Sequence, residues 1–428
     1  MTEGRADVVV IGAGAAGLAA AHDLAEGGFS VVILEARDRP GGRIFTVRDP
    51  VLPLPVELGA EFVHGKPREI WDLIAAAPLA VCDISGGHWC FDDGYLTRCN
   101  DLFAGVEPIF DRMSEAPDQT FEQFLSGCDC DKSAKPWATA YVEGFNAARK
   151  ERISVAALAQ EAAAADTIDG DRSFRILSGY DRVPRRLLRR SRAEVHLNAP
   201  VTEIHWEAGH VSASGPAGAI QARCALVTVP LGVLQAHAIR FSPEPAGVLD
   251  AASRLEMGRV FRITLRFREK FWEGRKELED LSFIHSLEPW FPTWWTMMPL
   301  RVPVLTAWAA GPWAEPLMGC DGTQLCNRAV DTLARILATD RDKISGLLAG
   351  YYTHDWQADP FARGAYSYVP AGALDARAAL AEPVGDTLYF AGEAANLSGH
   401  GATVHGAIES GRHAARRIME CLGSGRVN

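Results

Sequence analysis

Apolar and polar positions alternate along the middle of LEMGRVFRITLRFREKFW, residues 255–272. Phe261, Ile263, Leu265 and Phe267 fall on one side, and Arg262, Thr264, Arg266 and Arg268 on the other. A period of two predicts a strand with one buried and one polar face. Either the polar face is a solvated row of arginines, or Arg262 points into a site; alternation alone does not decide. Residues 8–11 are continuously apolar, as a strand buried on both faces should be. Helical spacing runs through residues 137–145 and 155–164, and again near 324–337. Residues 194–206, 210–215 and 221–230 read as strands parted by turn residues, the last ended by Pro230. The basic run RVPRRLLRRSR (182–192) carries Val183, Leu187 and Leu188, which makes it a helix with a solvated outer face. The chain closes with a strand at 388–391, a glycine-rich loop and a helix from about Thr403. No repeat or low-complexity linker interrupts it.

Composition narrows the function classes. The 428 residues can bury the cores of about two or three domains. A net charge of −11 argues against nucleic acid as the main partner and is compatible with cationic small molecules. No apolar run is long enough to span a bilayer. The first apolar run lacks a charged leader and is broken by Gly12, Gly14 and Gly17, so no signal peptide is expected. Of nine cysteines only Cys128 and Cys130 are close, and no second pair completes a zinc site. All nine are expected to be reduced thiols of a cytoplasmic protein, with no metal.

The candidate chemistry lies at the two ends of the chain. Gly12, Gly14 and Gly17 form G-x-G-x-x-G between a strand and a helix. The first allows a tight turn, the second lets a pyrophosphate approach the backbone, and the third lets helix and strand pack closely. Glu35 ends the following strand, 23 residues after Gly12, where an acidic residue binds a ribose hydroxyl. This motif serves FAD and NAD alike. Two features favour FAD. RPGGR supplies a close turn at Gly41 and Gly42 and a phosphate partner in Arg43. A second strand–loop–helix at the C-terminus, with Gly392 and Glu393, suggests a long cofactor held from both ends. The positive end of its helix suits the carbonyl edge of a flavin.

The segments VVVIGAGAAGLAAA, LEARDRPGGRIFTV, VELGAEFVHG, ALVTVPLGVL, DWQADPFARGAYSYVPAG and LYFAGEAANLSGHGATVHGAIESG carry a resemblance. The chain resembles, nearly end to end, the flavin-containing amine oxidases: monoamine oxidases, polyamine oxidases and the histone-lysine demethylase catalytic domain. GAEFVHG, ARGAYSY and ATVHGA are most similar to the polyamine oxidase and demethylase branch. The demethylases' long helical insertion is absent at this length, which argues against histone substrates. The resemblance implies an α/β fold in which a Rossmann-type FAD-binding domain (1–75, 176–250 and 378–428) interleaves with an α+β substrate-binding domain (76–175 and 251–377).

It also implies roles. FAD would be held by Gly12, Gly14, Ala15, Ala16 and Gly17, by Glu35, Ala36 and Arg37, and by Gly42 and Arg43. Further contacts would come from Gly59, Ala60, Glu61, Val201, Trp356, Gly392, Glu393, Thr403 and Val404. Trp356 would flank the reactive edge. His64 would sit at the mouth of the substrate channel, or be an ordinary loop histidine. Tyr366 would form one aromatic wall for the amine, with Thr403 where a second would stand. Ala365 takes the place of the cysteine that monoamine oxidases bond to flavin, so FAD should be noncovalent. His405 would pack under the last helix, beside His400. The tryptophans between Trp290 and Trp295 are expected in the core. Arg262 takes the place of a lysine that faces flavin N5 through a water. Arginine keeps its proton where lysine can lose it.

The implied activity is FAD-dependent oxidation of a C–N bond, in an amine or amide-like substrate, by hydride transfer to N5. The imine formed is hydrolysed or trapped, and oxygen or another acceptor takes the electrons. Arg262 at the lysine position would leave hydride transfer intact and slow the reaction with oxygen. Alternatives are oxidation of a non-amine substrate, or a flavin-bound protein with little turnover. The sequence leaves the oligomeric state open between monomer and homodimer.

Overall fold

The computed structural model describes residues 5–99 and 102–424. Residues 1–4 and 425–428 of the expected FAD-binding segments lie outside them. The apolar run falls in β1 (Arg5–Ile11), which is inside a sheet, parallel to β2 (Val31–Leu34) and to Gly218–Val227. Neighbours on both edges and layers on both faces leave Val8, Val9 and Val10 fully buried. Val8 and Val10 enter one core, Val9 and Ile11 the other.

Among the described residues this sheet runs Glu194–His196, β2, β1, Gly218–Val227, His210–Gly215, Glu203–Glu207, Arg240–Ser242, with Leu388–Phe390 joined to Gly218–Val227. Helix α1 (Ala15–Glu26) connects β1 to β2. The C-terminal helix Val404–Ser424 lies directly on it: a Cβ on Gly411 would collide with the Ala16 carbonyl. The two ends of the chain therefore share one core, to which Leu18, Ile408 and Ala415 contribute.

A second sheet runs Leu348–Thr353, Val260–Phe267, Val304–Ala310, Thr293–Thr296, Leu281–Ser286, Gly87–Asp92, Tyr95–Arg98. The helix Gly322–Ile336, started by a capping box between Asp321 and Gln324, covers one face. There Phe261, Ile263, Leu265 and Phe267 pack with Leu325, Ala329 and Leu333. The helices Phe121–Gly127, Ala134–Asn146 and Val155–Asp166 form a smaller core around Phe121, Phe124 and Val142.

One choice left open by the sequence is resolved, and one expectation is corrected. The polar face of Val260–Phe267 is not a solvated row: Thr264 and Arg262 are buried, Arg266 is half-buried, and only Arg268 is exposed. The strand is interior, and its second face is covered as well as its first. Thr264 Oγ1 meets Thr306 Oγ1 at 3.0 Å, and Arg266 donates to the Ala349 carbonyl at 2.9 Å. The cysteines are not all thiols. Cys90 pairs with Cys99 across a hairpin whose register sets Cys90 opposite Thr97, and Cys128 pairs with Cys130. The cysteines therefore lend no support to a reducing compartment. No helix among the described residues is long and apolar enough to cross a membrane.

The turn after β1 yields a prediction. A Cβ on Gly17 would collide with the Gly12 carbonyl and lie 2.9 Å from Thr228 Oγ1, whereas one on Gly14 meets no atom within 4 Å. Gly17→Ala should therefore destabilise the cofactor-free protein by about 1–3 kcal/mol, the usual cost of overpacking. Gly14→Ala should leave that stability unchanged and weaken cofactor retention. Thermal denaturation and flavin content read the two effects, and equal stability losses would contradict this account of the turn.

Candidate active site

The glycine turn leaves backbone donors open. Gly12 has φ +107°, a conformation glycine adopts without strain. Helix α1 begins at Gly14 with no side-chain cap, so its first N–H groups face outward with the positive end of the dipole. Glu35 is buried and fixed by two donors, Ala13 N at 2.7 Å and Arg37 N at 2.9 Å. Beyond it an open groove is lined by Ala36, Arg37, Asn198, His354, Asp359 and Phe361. Burial opposes the charge of Asp359, but His354 (2.9 Å) and Arg37 (2.8 Å) outweigh it and hold the carboxyl well below its usual range.

A second knot joins three distant segments. Arg43 Nη1 donates to Glu393 Oε1 at 2.8 Å and to the Ala365 carbonyl at 2.7 Å. Glu393 Oε2 accepts from Ser367 Oγ at 2.6 Å and Ala402 N at 3.2 Å. Burial disfavours this carboxylate, yet Arg43 and Ser367 keep its pKa below the ordinary value. Thr403 caps the C-terminal helix: its Oγ1 accepts from Gly406 N at 2.9 Å and donates to the His400 carbonyl at 2.8 Å. Val404 packs into the core of the first sheet, and Val201 against the core on its other face. Gly42 approaches Gly14, Ala60 N donates to the Arg43 carbonyl at 3.2 Å, and buried Trp356 bonds the Leu58 carbonyl at 2.8 Å beside Gly59. Gly392, at φ +148°, leaves space on its Cβ side. Open glycine backbone, an uncapped helix start and an acidic ribose-type residue fit a dinucleotide, and His405 Nε2 is buried without a partner among the described residues.

The Arg262 side chain is turned inward. Its Nη1 donates to the Gly59 carbonyl at 3.0 Å and its Nη2 to Glu61 Oε2. Glu61 Oε1 accepts from Arg175 Nε (3.0 Å) and Nη2 (2.6 Å), and Oε2 also accepts from Trp295 Nε1 (3.2 Å). Burial opposes the charge of Glu61, but Arg262 and Arg175 outweigh it and lower its pKa. Glu57 lies beside the cluster, accepting from Thr46 Oγ1 (2.6 Å) and Tyr180 N (2.8 Å). Arg175 and Glu57 carried no sequence signal, because their partners lie on other elements. Trp294 is core as expected, whereas Trp295 borders the charged cluster.

The sequence profile of the flavin containing amine oxidoreductases matches residues 15–90 and 107–419. The chain belongs to this family. Polyamine oxidase 4 of Oryza sativa subsp. japonica is 29% identical over 95% of the chain and 87% of its own length. Lysine-specific histone demethylase 1 homolog 3 of Arabidopsis thaliana is 27% identical over 98% of the chain, which spans only 30% of that protein. Among solved structures, putrescine oxidase bound to putrescine superposes with TM-score 0.83 at 21% identity, covering 97% of this chain and 99% of that one. Cyclohexylamine oxidase from Brevibacterium oxydans IH-35A gives 0.83 at 21%, over 98% and 100%. The fold is thus the two-domain fold of these amine oxidases, and the protein is a flavin-dependent amine oxidoreductase.

In this amine oxidoreductase, Gly59 to His64 leads from the cofactor cradle to a wall of aromatic rings. The His64 ring lies 5.6 Å from that of Phe145, which stacks on Tyr141 at 5.5 Å. Tyr366 donates its hydroxyl to the Phe145 carbonyl at 2.7 Å. Phe145 is 53% exposed. Tyr141 is 39% exposed as well, whereas burial pushes the His64 pKa down to about 4 and that of the Tyr366 hydroxyl up. These rings form one aromatic wall beside His64. His64 Nδ1 lies 3.2 Å from Ser173 Oγ, so it is a partnered residue of that wall. The His405 ring contacts His400 at 4.8 Å.

Two predictions concern the charged cluster. Glu61→Ala leaves two buried guanidiniums without their carboxylate and should cost about 3–5 kcal/mol of stability. A loss below about 1 kcal/mol in urea unfolding would mean that both arginines find water. Burial raises Glu57 from its ordinary 4.5 to about 7 in the folded chain. Its contribution is therefore full below about pH 4.5 and is lost as pH rises through 7. Glu57→Gln removes this dependence. The melting temperature of the variant, relative to the parent, should rise between pH 5 and pH 8; a constant difference would contradict the assignment.

Proposed function

We propose that the chain binds FAD noncovalently and oxidises the C–N bond of an amine, removing a hydride equivalent from the carbon beside an uncharged nitrogen. One arrangement carries this reading: residues 59–64 join a dinucleotide cradle to a wall of aromatic rings, which we take as the side of a substrate chamber. The cradle extends from the Ala36–Asn198 groove past the glycine turn to Glu393 and the capped helix at Thr403, a span suited to FAD. Ala365 offers no sulfur for a covalent link. The relatives named as polyamine and putrescine oxidases support an amine substrate. The FAD-binding segments would be 1–75, 176–250 and 378–428, and 76–175 with 251–377 would hold the substrate.

When bound, the flavin supplies the hydride-accepting chemistry. The chain's residues exclude water and orient the amine. Tyr366, its hydroxyl tied to Phe145, presents a ring of fixed orientation, and Trp356 is held beside Gly59 by its bond to Leu58. His64, desolvated and neutral, favours an uncharged nitrogen over an ammonium. Arg262 remains a cation bound to Gly59 and Glu61, so it removes no proton from substrate. It keeps its proton and so cannot relay one to oxygen, which makes oxygen a slow acceptor. The imine leaves to be hydrolysed or trapped.

The purified protein should be yellow and release all its FAD on acid precipitation. Flavin retained in the pellet would refute noncovalent binding, and NAD in place of FAD would refute the cradle. Anaerobic addition of substrate amine should bleach the flavin absorbance. Tyr366→Ala should slow bleaching about three- to tenfold, the ~0.5–1.5 kcal/mol an aromatic contact is worth. Unchanged bleaching kinetics would place the substrate elsewhere.

A further inference from the structure

Amine oxidation leaves the motif Cys128-Asp129-Cys130 without a role. It lies in the connection between the helices Phe121–Gly127 and Ala134–Asn146. Asp129 and residues 131–133 are exposed, and both cysteines are partly so. The two are joined by a disulfide, with Cα atoms 5.4 Å apart, a separation from which the bond closes without backbone movement. A bond across a single residue is a poor staple, because the stabilisation a disulfide gives a fold grows with the loop it closes. The bridge Cys90–Cys99 spans a sequence separation of 9 rather than 2, sits on a hairpin of the second sheet and has Cys90 buried. The two bridges thus differ in what they do for the fold and in how easily a reagent reaches them. Exposed disulfides are the labile ones.

A cation stands over both sulfurs. Arg112 opens the turn Arg112–Glu115, and its Nη1 lies 3.6 Å from the Sγ of Cys128 and 3.6 Å from that of Cys130. The same nitrogen donates to the Asp129 carbonyl at 2.6 Å, a bond that does not depend on the sulfurs. Lys135 fixes the loop from its other end, its Nζ donating to the carbonyls of Cys128 at 2.9 Å and Leu125 at 2.6 Å. A neutral sulfur is a weak acceptor, whereas a thiolate carries a full charge. Arg112 therefore gains its strong partner only when the bond opens. A neighbouring guanidinium favours the thiolate, which is the form that attacks and leaves in disulfide exchange.

We propose that Cys128–Cys130 is a thiol–disulfide exchange site activated by Arg112, whose reaction partners are small thiols and their disulfides. The thiolate of an incoming thiol attacks one sulfur of the pair. The Cys128–Cys130 bond breaks, and its electron pair leaves on the other sulfur as a thiolate beside Arg112. A second thiol then attacks the mixed disulfide and releases the first cysteine. The pair ends as two thiols, carrying the two protons and two electrons that the reagent gave up, and the reagent ends as its own disulfide. The same steps in reverse oxidise the pair. Neither direction draws on the flavin, so the site stands apart from the amine-oxidation reading.

The test takes the whole air-equilibrated protein, adds reduced glutathione at one pH, quenches samples by alkylation and reads each cysteine by peptide mass. Cys128–Cys130 should open at least about tenfold faster than Cys90–Cys99 in the same molecule, as an exposed bridge does beside a half-buried one. Arg112→Gln keeps a donor for the Asp129 carbonyl and removes the charge. It should slow the opening about two- to fivefold, the size of an exposed ion pair. The Cys90–Cys99 rate and the melting temperature should not change in that variant. Recovery of Cys128 and Cys130 as free thiols before glutathione is added would overturn the proposal. So would opening no faster than that of Cys90–Cys99, or a parental rate in Arg112→Gln.

Discussion

The site depends on one buried carboxylate, Glu61, held between two guanidiniums. A charge of either sign in that place would be strongly disfavoured alone. The cluster therefore forms only when residues 59–64, the strand Ser173–Ile176, the strand Val260–Phe267 and the strand Thr293–Thr296 are in register. Replaced by apolar residues of similar size, such a cluster can be neutral for stability. Its contribution is placement, as it fixes where the Gly59–Glu61 backbone runs and which way Arg262 points. The cradle touches that backbone through Arg43 and Trp356, and the chamber begins three residues later at His64.

The same cluster separates two electrostatic regimes. On one side lie the ions of the cradle, Arg37 with Asp359 and Arg43 with Glu393, each pair at 2.8 Å. On the other lie the rings of the chamber, where imidazoles lose their charge and tyrosines hold their protons. The guanidinium of Arg262 stands at the border with Trp295, 5.4 Å from the ring centroid. Its planar fork matches the Glu61 carboxylate and the Gly59 carbonyl together, a geometry the point charge of a lysine cannot reproduce. In this account Arg262 and Glu61 are one feature, because each is satisfied by the other.

How much of this was legible in the sequence depended on the range of the determining contacts. The β1–turn–α1 unit and the closing helix are legible, because local spacing and glycine geometry dictate them. The alternation from Phe261 to Phe267 gave the strand but not its surroundings; pattern registers side-chain polarity, and a buried arginine looks like a solvated one until its partner is known. Glu61 is 201 residues from Arg262 and 114 from Arg175, so no local pattern could join them. The Cys90–Cys99 bridge is not legible in cysteine spacing, because a hairpin sets its partners across the turn.

The central claim is that Glu61 and Gly59 hold Arg262 as a fixed cation beside the flavin. It is tested most directly by stopped-flow absorbance of the two half-reactions, anaerobic reduction by amine and reoxidation by oxygen, in the parent and in Arg262→Lys. The account predicts that the substitution accelerates reoxidation by about tenfold or more, since a lysine can exchange a proton where arginine keeps it, and leaves reduction within about twofold. Reoxidation at the parental rate would contradict it, and Arg262 would then be only a structural partner of Glu61.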